Sequence, residues 1–399
     1  MNLGVILAIG ESLGDLKSKG QLKRLLDYNI KRYSQAFDQV FIFSYDNERD
    51  FKLPRNCTLV ANTLGIHRYL YSILMPIICH KEIIKCDVLR GLQLSGGIPA
   101  AIGRIIYGKR FVINYGYDYS KFAKIEGKTL QSFFYELIQK PILSFADTVI
   151  VTSVEVKKIL VKIIDKSKII YIPNGVDLNL FRASENPKFQ TGDEQESAKR
   201  RKREPRLSGR GNLFRSINHK PIGDTLNILY VGRLEVQKNL SVLINALALI
   251  KKSHKLTFFG QGTQKKELIR LASKLKVPLV IKPPVEYSKL PKVLSTADIF
   301  VLPSQEEGSP KILLEAMACQ KAVVGSNVKG IKEIIINNYN GLLANADPKS
   351  IAVAIKKLEN KNLRKQLGEN ARKHIIKNYE IRSLLDKEVE MLKNAAVKK

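Results

Sequence analysis

The chain reads ADIFVLPSQEEGSPKILLEAMAC over residues 297–319. Ile299–Leu302 has the composition of a buried strand, and Lys311–Cys319 has the apolar spacing of a helix. Glu307 lies between them, on a predicted loop at the carboxyl end of the strand. Ser309-Pro310 opens the predicted helix, where proline costs least because its missing N–H has no partner in any case. A strand, a polar loop and a helix in this order form the repeating unit of a parallel α/β sheet.

The same loop and helix start predict a binding notch. The first turn of a helix exposes backbone N–H groups that carry a partial positive charge. Glu315 lies about two turns further along than Glu307 and can face the same crevice. Because N–H groups bind anions and carboxylates accept hydrogen bonds from hydroxyls, the notch suits a sugar nucleotide. The structural alternative is that acidic residues occur at helix starts for reasons of the helix dipole alone.

Strand-like and helix-like segments alternate on both sides of this stretch, which predicts parallel sheets with crossover helices. A chain of 399 residues is also too long for one ordinary core. We therefore predict an α/β fold with two doubly wound, Rossmann-like domains facing each other across a cleft. The predicted domains are residues 1–183 and 225–399, and we expect the terminal helix to pack back on the first domain.

The element boundaries follow from the same patterns. The longest predicted helices are Gly20–Ala36 near the start, Thr129–Phe145 in the first domain and Leu363–Lys393 near the end. The predicted strands are Leu3–Ile9, Val40–Tyr45, Val88–Leu92, Arg110–Asn114, Thr148–Thr152, Ile169–Ile172, Asn227–Val231, Lys255–Phe259, Leu279–Ile281, Ile299–Leu302 and Ala322–Gly325.

Residues 184–224 separate the two halves and are polar, with the basic run Lys199–Arg203. This composition predicts an exposed, largely disordered connector. The alternative is that the basic run binds nucleic acid or directs nuclear import, but runs of this kind are more often part of a solvated linker.

The net charge of +30 indicates which classes of molecule the protein attracts. Such a field attracts polyanions, which include nucleic acid, anionic lipid headgroups and diphosphate substrates. We expect peripheral docking on an anionic membrane, and the alternative is a general enrichment in lysine without a membrane role.

Cysteine and histidine usage argues against a bound metal. The four cysteines are scattered without a C-x-x-C pair, which indicates a reducing compartment and no structural zinc. The five histidines have no metal-ligand spacing. No apolar run reaches the roughly 20 residues of a membrane span and no secretory signal is evident, so we expect a cytoplasmic protein.

Basic and glycine-rich motifs follow two further predicted strands in the second half. Gly232-Arg233-Leu234 is followed by Lys238, and the two cations can pair with a diphosphate. Gly260-Gln261-Gly262 allows a backbone to approach a ligand closely, and Val285 follows the next strand, where a nucleotide base can bind. The alternatives are ordinary surface cations and ordinary turns.

Two loops in the first half carry candidate acceptor-side residues. Tyr115–Asp118 follows a predicted strand, and Asp118 can position an acceptor hydroxyl, with Tyr117 in the same loop. The alternative for Asp118 is a helix cap or a turn. Gly10–Gly14 follows the first strand and is expected to close over the cleft.

Together these motifs resemble the retaining nucleotide-sugar glycosyltransferases of family 4, which have the GT-B fold. That family often carries a histidine in the first-domain loop where this chain has Tyr115–Asp118. The segments that carry the resemblance are Ile172-Pro173-Asn174-Gly175-Val176-Asp177, which is similar to the interdomain hinge of the family, Val231-Gly232-Arg233-Leu234 with Lys238-Asn239, Gly260-Gln261-Gly262, Ala297–Ser304, Glu307–Lys311 with Leu314–Ala318, and Asn340-Gly341-Leu342-Leu343.

The resemblance implies a role for each matched residue. Arg233 and Lys238 hold the donor diphosphate, Glu307 contacts the sugar hydroxyls, and Glu315 contacts the ribose. Catalytic roles are thus expected for Glu307, Arg233, Lys238 and Asp118. Donor contacts are expected for Gly232, Gly260, Gly262, Val285, Ser304, Gly308, Ser309, Pro310, Lys311 and Glu315, and acceptor-side contacts for Gly10, Gly14 and Tyr117.

The predicted activity is transfer of a hexose-type sugar from a nucleoside diphosphate to a glycan or lipid-linked acceptor, with retention. The chain has no D-x-D cluster for a metal, so the cations and the helix N-terminus are expected to stabilise the departing diphosphate, without a cofactor. One alternative is a nucleotide-sugar epimerase or a phosphorylase on the same fold. The other is a nucleic-acid-binding protein that uses the basic connector, although the sequence has no recognised nucleic-acid-binding signature.

Overall fold

Two parallel β-sheets form the framework of the protein in a computed structural model, which describes residues 1–116, 118–125, 127–182 and 225–397. Strands at the middle of both sheets are buried on both faces, so helices cover each sheet on two sides. The prediction of two doubly wound α/β domains is confirmed. The predicted connector at 184–224 and Tyr117 lie outside the described residues.

The first sheet lies in the first half of the chain and has seven strands, all parallel to their neighbours. The strands are β1 (Asn2–Ile6), β2 (Gln39–Phe43), β3 (Cys57–Val60), β4 (Val88–Gly91), β5 (Arg110–Tyr115), β6 (Thr148–Val151) and β7 (Ile169–Tyr171). Their order across the sheet is β3-β2-β1-β4-β5-β6-β7.

The second sheet has six strands and is also parallel throughout. The strands are β8 (Leu226–Val231), β9 (His254–Phe259), β10 (Leu279–Lys282), β11 (Ile299–Leu302), β12 (Ala322–Ser326) and β13 (Leu342–Ala344). Their order is β10-β9-β8-β11-β12-β13.

Helices connect the strands in both domains. In the first domain they are α1 (Leu13–Ser18), α2 (Leu22–Arg24), α3 (Lys31–Ala36), α4 (Arg68–Ile78), α5 (His80–Lys85), α6 (Gln93–Tyr107), α7 (Tyr119–Ile125), α8 (Thr129–Phe145) and α9 (Val154–Leu160). In the second half they are α10 (Leu240–Ala248), α11 (Lys265–Lys274), α12 (Leu290–Ser295), α13 (Lys311–Ala318), α14 (Lys329–Lys332), α15 (Pro348–Lys357), α16 (Lys361–Asn378) and α17 (Ile381–Val397).

Each sheet reverses its strand order at one point, between β1 and β4 in the first and between β8 and β11 in the second. In open α/β sheets, ligands bind outside the carboxyl ends of the strands at this switch point. Loops that follow these four strands from both domains line a common cleft. The fold therefore places one candidate site between the two sheets.

The final helix, α17, returns to the first domain, where its apolar face joins the core beside β4 and β5. Glu388 of this helix forms a buried ion pair with Arg90 of β4, with 2.7 Å between Arg90 Nη2 and Glu388 Oε1. The hydroxyl of Tyr33 also donates to Glu388 Oε1, at 2.7 Å. The first domain is thus completed by residues that follow the second domain in sequence.

The long helix predicted at Leu363–Lys393 is wrong, because two helices occupy this range. The helix is interrupted at Glu380. Its carboxylate accepts hydrogen bonds from the N–H groups of Arg382 and Ser383, and this cap begins the new helix α17. The backbone here also crosses between the domains, where Val176 N donates to Tyr379 O at 2.9 Å.

Two short edge strands, β3 and β13, escaped prediction. Edge strands are half covered and carry mixed composition, so their hydrophobic signal is weak. The predicted helix at Gly20–Ala36 is interrupted by a π-helical segment, Leu25–Ile30, directly after α2. Such segments occur often at functional sites.

Candidate active site

A cleft of about 790 Å³ separates the two domains. Its walls come from the loops after β8 and β11 on one side and from the first domain on the other. Arg233, Lys238, Glu307 and Lys311 all lie in this wall, so the structure brings together the residues that the sequence singled out.

Glu307 is fixed at the centre of the second-domain wall. Lys238 Nζ lies 2.7 Å from Glu307 Oε1, and the hydroxyl of Ser304 donates to the same oxygen at 2.7 Å. Lys238 and Glu307 are only 14% and 10% exposed, so this ion pair is shielded from bulk water. Within the described ranges no protein hydrogen bond reaches Glu307 Oε2. One carboxylate oxygen is therefore held by the protein, and the other can accept a hydrogen bond from a hydroxyl.

A short 3₁₀ segment, Val236–Lys238, positions the lysine of this pair. The preceding loop from β8 needs glycine, because Gly232 has a φ of 155° and its added Cβ would lie 2.6 Å from the hydroxyl oxygen of Tyr230. That hydroxyl donates to the carbonyl of Arg233 at 2.7 Å. The glycine and the tyrosine together set the direction of the Arg233 backbone.

Gln237 joins the two loops that carry the cations and the carboxylate. Its side-chain amide donates to Glu306 O at 2.8 Å, and Gln305 N donates to Gln237 O at 2.9 Å. Arg233 Nη2 donates to Gln237 Oε1 at 3.5 Å. This buried glutamine was not predicted, since a single amide between Arg233 and Lys238 forms no recognisable motif.

Pro310 precedes the first turn of α13, whose N-terminus borders the cleft as expected. The loop before it is braced by Gly330, whose added Cβ would lie 2.1 Å from Gly308 O. Asn174, in the segment between the domains, donates to Ser309 O at 2.8 Å. Both domains therefore hold the loop that leads to the helix start.

Glu315 of α13 is buried and meets a cation from the opposite domain. Arg24 Nη1 lies 3.3 Å from Glu315 Oε1, and Arg24 Nη2 donates to Gly175 O at 3.3 Å. The Arg24 guanidinium also stacks over the ring of Tyr287, 5.3 Å from its centre. Burial raises the pKa of the Glu315 carboxyl, and the positive charges of Arg24 and Lys311 oppose that rise.

Lys311 lies one turn before Glu315 on the same helix. The positive charge of nearby Arg24, and next the surrounding protein, lower the pKa of Lys311 to about 7, although its side chain is exposed to the cleft. Glu315 and Glu11 oppose this shift. The lysine is therefore poised to change charge near neutral pH, and an anion beside it favours the charged form.

Residues 215–374 match the family model for glycosyl transferases group 1. The second half of the chain is thus similar to this family. A glycosyltransferase of Methanocaldococcus jannaschii, itself uncharacterised, is 30% identical over 271 residues, which are 65% of this chain and 62% of the relative. Two further glycosyltransferases of that organism match over 47% and 48% of their own lengths, so the chain spans about half to three fifths of these curated relatives.

Solved structures extend the likeness to the whole chain. Sucrose-phosphate synthase from Thermosynechococcus elongatus superposes with a TM-score of 0.75 at 18% identity, covering 99% of this chain and 98% of that one. Anabaena HepE in complex with UDP and glucose gives a TM-score of 0.72 at 16% identity, covering 99% and 100%. At such identities the likeness shows the fold alone, and the GT-B-like fold expected from the sequence is confirmed.

The paired glycines Gly260 and Gly262 of the second domain serve loop packing. An added Cβ at Gly260 would lie 1.8 Å from Gly232 O, and one at Gly262 would lie 2.3 Å from Leu234 O. The loop after β9 therefore packs directly on the loop that carries Arg233. Val285 packs against the core of the second domain. Direct donor contacts by these three residues stay a prediction.

The residues predicted on the acceptor side make contacts that shape the first domain locally. Asp118 Oδ1 accepts from Lys121 N at 3.0 Å and so caps α7. The N–H of Gly14 donates to Glu48 Oε2 at 2.9 Å, inside the start of α1. Gly10 has a φ of 73°, which requires glycine in this loop. Roles for these residues in acceptor binding stay predictions.

The first domain contributes two further residues to the cleft, of which Glu11 lies in the predicted loop Gly10–Gly14 and Gln93 was not predicted. Glu11 and Gln93 both line the cleft, and burial raises the pKa of the Glu11 carboxyl. Gln93 follows β4 with a φ of 58°, a left-handed conformation that costs a non-glycine residue about 1–3 kcal/mol and is concentrated at functional sites. Its position after a strand at the switch point was the available signal.

Among the described residues, no group of three His, Cys, Asp or Glu side chains is placed to hold a metal ion. Within the same ranges, no helix combines the length and the apolar character that crossing a bilayer requires.

Proposed function

We propose that the protein is a glycosyltransferase that moves a hexose-type sugar from a nucleoside diphosphate sugar to a glycan or lipid-linked acceptor. The observation that carries the proposal is the shielded cluster of Lys238, Glu307 and Ser304 beside the N-terminus of α13, inside an interdomain cleft. Cations and backbone N–H groups suit a diphosphate, and the oriented carboxylate suits a sugar hydroxyl.

The residues of the second domain divide the chemistry between them. Departure of the diphosphate builds negative charge on its oxygen, and Arg233, Lys238 and the N–H groups at the start of α13 stabilise that charge. Glu307 Oε2 accepts a hydrogen bond from the sugar and holds the ring while its anomeric carbon becomes cation-like. Glu315 binds the ribose, and the nucleotide must then displace or share the contact with Arg24.

Retention of anomeric configuration is inferred from the resemblance to family 4 enzymes. In this scheme the acceptor hydroxyl attacks from the face that the diphosphate leaves. The charge of +30 also leads us to propose peripheral docking on an anionic membrane, where lipid-linked acceptors reside.

Calorimetry with a panel of nucleoside diphosphate sugars tests the donor class. UDP-glucose is the first member of the panel, since HepE has been solved with UDP and glucose. We expect at least one member to bind with a dissociation constant of about 1 μM to 1 mM, the usual range of substrate affinity. If the folded protein binds none of them, the proposed function is wrong.

Chelation tests the proposal that no metal takes part. We expect donor hydrolysis and transfer to keep their rates, within about twofold, when EDTA is added, because side-chain cations and backbone N–H groups stabilise the charge on the leaving group. A loss of tenfold or more that Mg²⁺ or Mn²⁺ restores contradicts this part of the proposal and leaves the transferase activity itself intact.

A further inference from the structure

Helix α8 carries its large apolar side chains on the surface of the molecule. Leu130, Phe133, Phe134 and Leu137 are 87%, 67%, 43% and 64% exposed. Their spacing of three and four residues places them on one side of the helix, which we call the outer face of α8. A surface helix of a globular domain ordinarily turns its apolar stripe to the core.

The opposite side of α8 makes polar contacts along the same stretch. The hydroxyls of Ser132 and Ser120 lie 3.0 Å apart, and Ser120 also donates to Glu136 Oε1 at 2.7 Å. Tyr115 donates to Gln139 Oε1 at 2.8 Å. Hydrogen bonds of this kind fix the orientation of the helix, so the exposure of the outer face is built into the fold.

The neighbouring helices extend the apolar surface. Helix α4 packs on α6, and α6 packs on α8. Tyr69, Leu70, Ile73 and Ile77 of α4 are each more than half exposed, as is Ile105 near the end of α6. Monomeric soluble proteins rarely expose apolar patches of this extent unless the patch binds a protein or a membrane.

The charge around the outer face of α8 favours a membrane as its partner over the apolar surface of another protein. Residues 119–145 contain four lysines and two glutamates. Lys124, Lys128 and Lys140 are exposed on α7 and α8 or at the turn between them, and the exposed Glu136 accepts a hydrogen bond from Ser120. An apolar face with a cationic border is the composition of a helix that lies in the bilayer interface and attracts anionic headgroups.

The outer face also adjoins the cleft. Gln131 and Tyr135 of the same helix, and Lys128 directly before it, line the candidate active site. We propose that the outer face of α8 docks on an anionic bilayer and sets the mouth of the cleft at headgroup level, so that the acceptor is lipid-anchored. The docking stands on the surface alone, and the acceptor class rests on the proposed function.

Tryptophan reporters locate the docking surface, because the chain has no native tryptophan. Phe133→Trp places a reporter on the outer face, and Ile376→Trp places one on the second domain at a residue that is 48% exposed. With vesicles containing phosphatidylglycerol, we expect a blue shift of the Phe133→Trp emission and quenching by brominated acyl chains. The Ile376→Trp emission should not change. Equal behaviour of the two reporters overturns the proposal.

Flotation with the same vesicles measures the contribution of the face. We expect Leu130→Gln/Phe133→Gln/Leu137→Gln to lower the membrane-bound fraction tenfold or more, because three inserted apolar side chains are lost. The matched control Leu249→Gln/Val353→Gln/Ile376→Gln removes exposed apolar side chains of the second domain and should float like the wild type. Vesicles of phosphatidylcholine alone, or added salt, should weaken wild-type binding.

Two results contradict the docking. One is flotation of the outer-face variant at the wild-type level. The other is a wild-type dimer by light scattering that the same variant converts to a monomer, since the face is then an interface between copies. Calorimetry with a nucleotide sugar on the outer-face variant keeps the questions separate. If the wild type binds vesicles but no sugar nucleotide, only the proposed function is wrong. If it binds a sugar nucleotide but no vesicles, only the docking is wrong.

Discussion

The two sides of the cleft differ in how their residues can be recognised. The second-domain side consists of short motifs, in which Arg233, Lys238 and Glu307 lie on loops directly after β8 and β11. The first-domain side consists of single residues, such as Arg24 and Gln93, that meet the cleft from separate elements. Donor chemistry is thus concentrated in local sequence, whereas the opposite wall depends on how the domains pack together.

The largest effect should come from the motif side. Glu307→Gln removes the charge that pairs with Lys238, and the amide holds the sugar less well as positive charge develops on it. We expect turnover to fall by about 10²- to 10³-fold, as for the loss of a preorganised electrostatic contact. Glu286→Gln, at an exposed position of the same domain, is the matched control and should keep wild-type turnover. Single-turnover kinetics and circular dichroism separate lost chemistry from lost fold.

A second variant sharpens the comparison by testing which part of the donor the motif recognises. Arg233→Ala should weaken binding of a nucleoside diphosphate by about 10- to 100-fold, the cost of one charge-assisted contact, and should leave nucleoside binding unchanged. Arg270→Ala, which removes an exposed arginine of α11, controls for net charge. Equal losses for nucleoside and nucleoside diphosphate in calorimetry contradict a phosphate role.

The pH dependence of nucleotide-sugar binding tests whether Arg24 of the first domain controls the charge of Lys311 in the second domain. The charge of Arg24 is the largest cause that lowers the pKa of Lys311 to about 7, so Lys311 is positive below pH 7 and loses its charge above it. A nucleotide sugar stays fully ionised over this range, so affinity should fall by about tenfold between pH 6 and pH 8. Arg24→Gln should move this loss to higher pH, and Lys311→Met should abolish it. An unchanged profile in both variants contradicts the coupling.

The smallest effect is expected on the first-domain side. Because Asp118 caps α7, Asp118→Ala should lower the free energy of unfolding by about 1 kcal/mol and change turnover by less than about threefold. Asp118→Asn keeps a capping oxygen and should restore stability. A drop in turnover of a hundredfold or more in both variants establishes instead the catalytic role that the sequence motif suggested.

The fold was predictable wherever a segment is buried or capped by its own residues. Ile299–Leu302 is a strand within the bounds expected from its apolar run, and α13 ends one residue from the predicted helix end. Edge strands such as Cys57–Val60 were missed because half of their surface faces away from the core. The break before α17 depends on Tyr379 and Glu380 pairing with Val176 of the interdomain segment, a contact that no local pattern encodes.

The site divides in the same way. Glu307, Lys238 and Ser304 were predicted together and meet within hydrogen-bonding distance. Asn174 lies in a quoted motif, although its bond to Ser309 was not foreseen. Arg24 is one of 67 lysines and arginines, and its contact with Glu315 spans 291 positions of sequence, so only the folded chain reveals it.

The return of α17 to the first domain has a consequence for synthesis on the ribosome. Arg90 is 1% exposed, and its carboxylate partner Glu388 emerges only after the entire second domain has been translated. Until then the nascent first domain holds a cation without its counter-charge, and breaking a buried pair of this kind costs about 3–5 kcal/mol. Domains usually fold in the order of their synthesis, but the first domain of this protein can complete its core only after the second domain has been made. Ribosome-bound chains halted before residue 388 should hold a first domain that proteases still cleave.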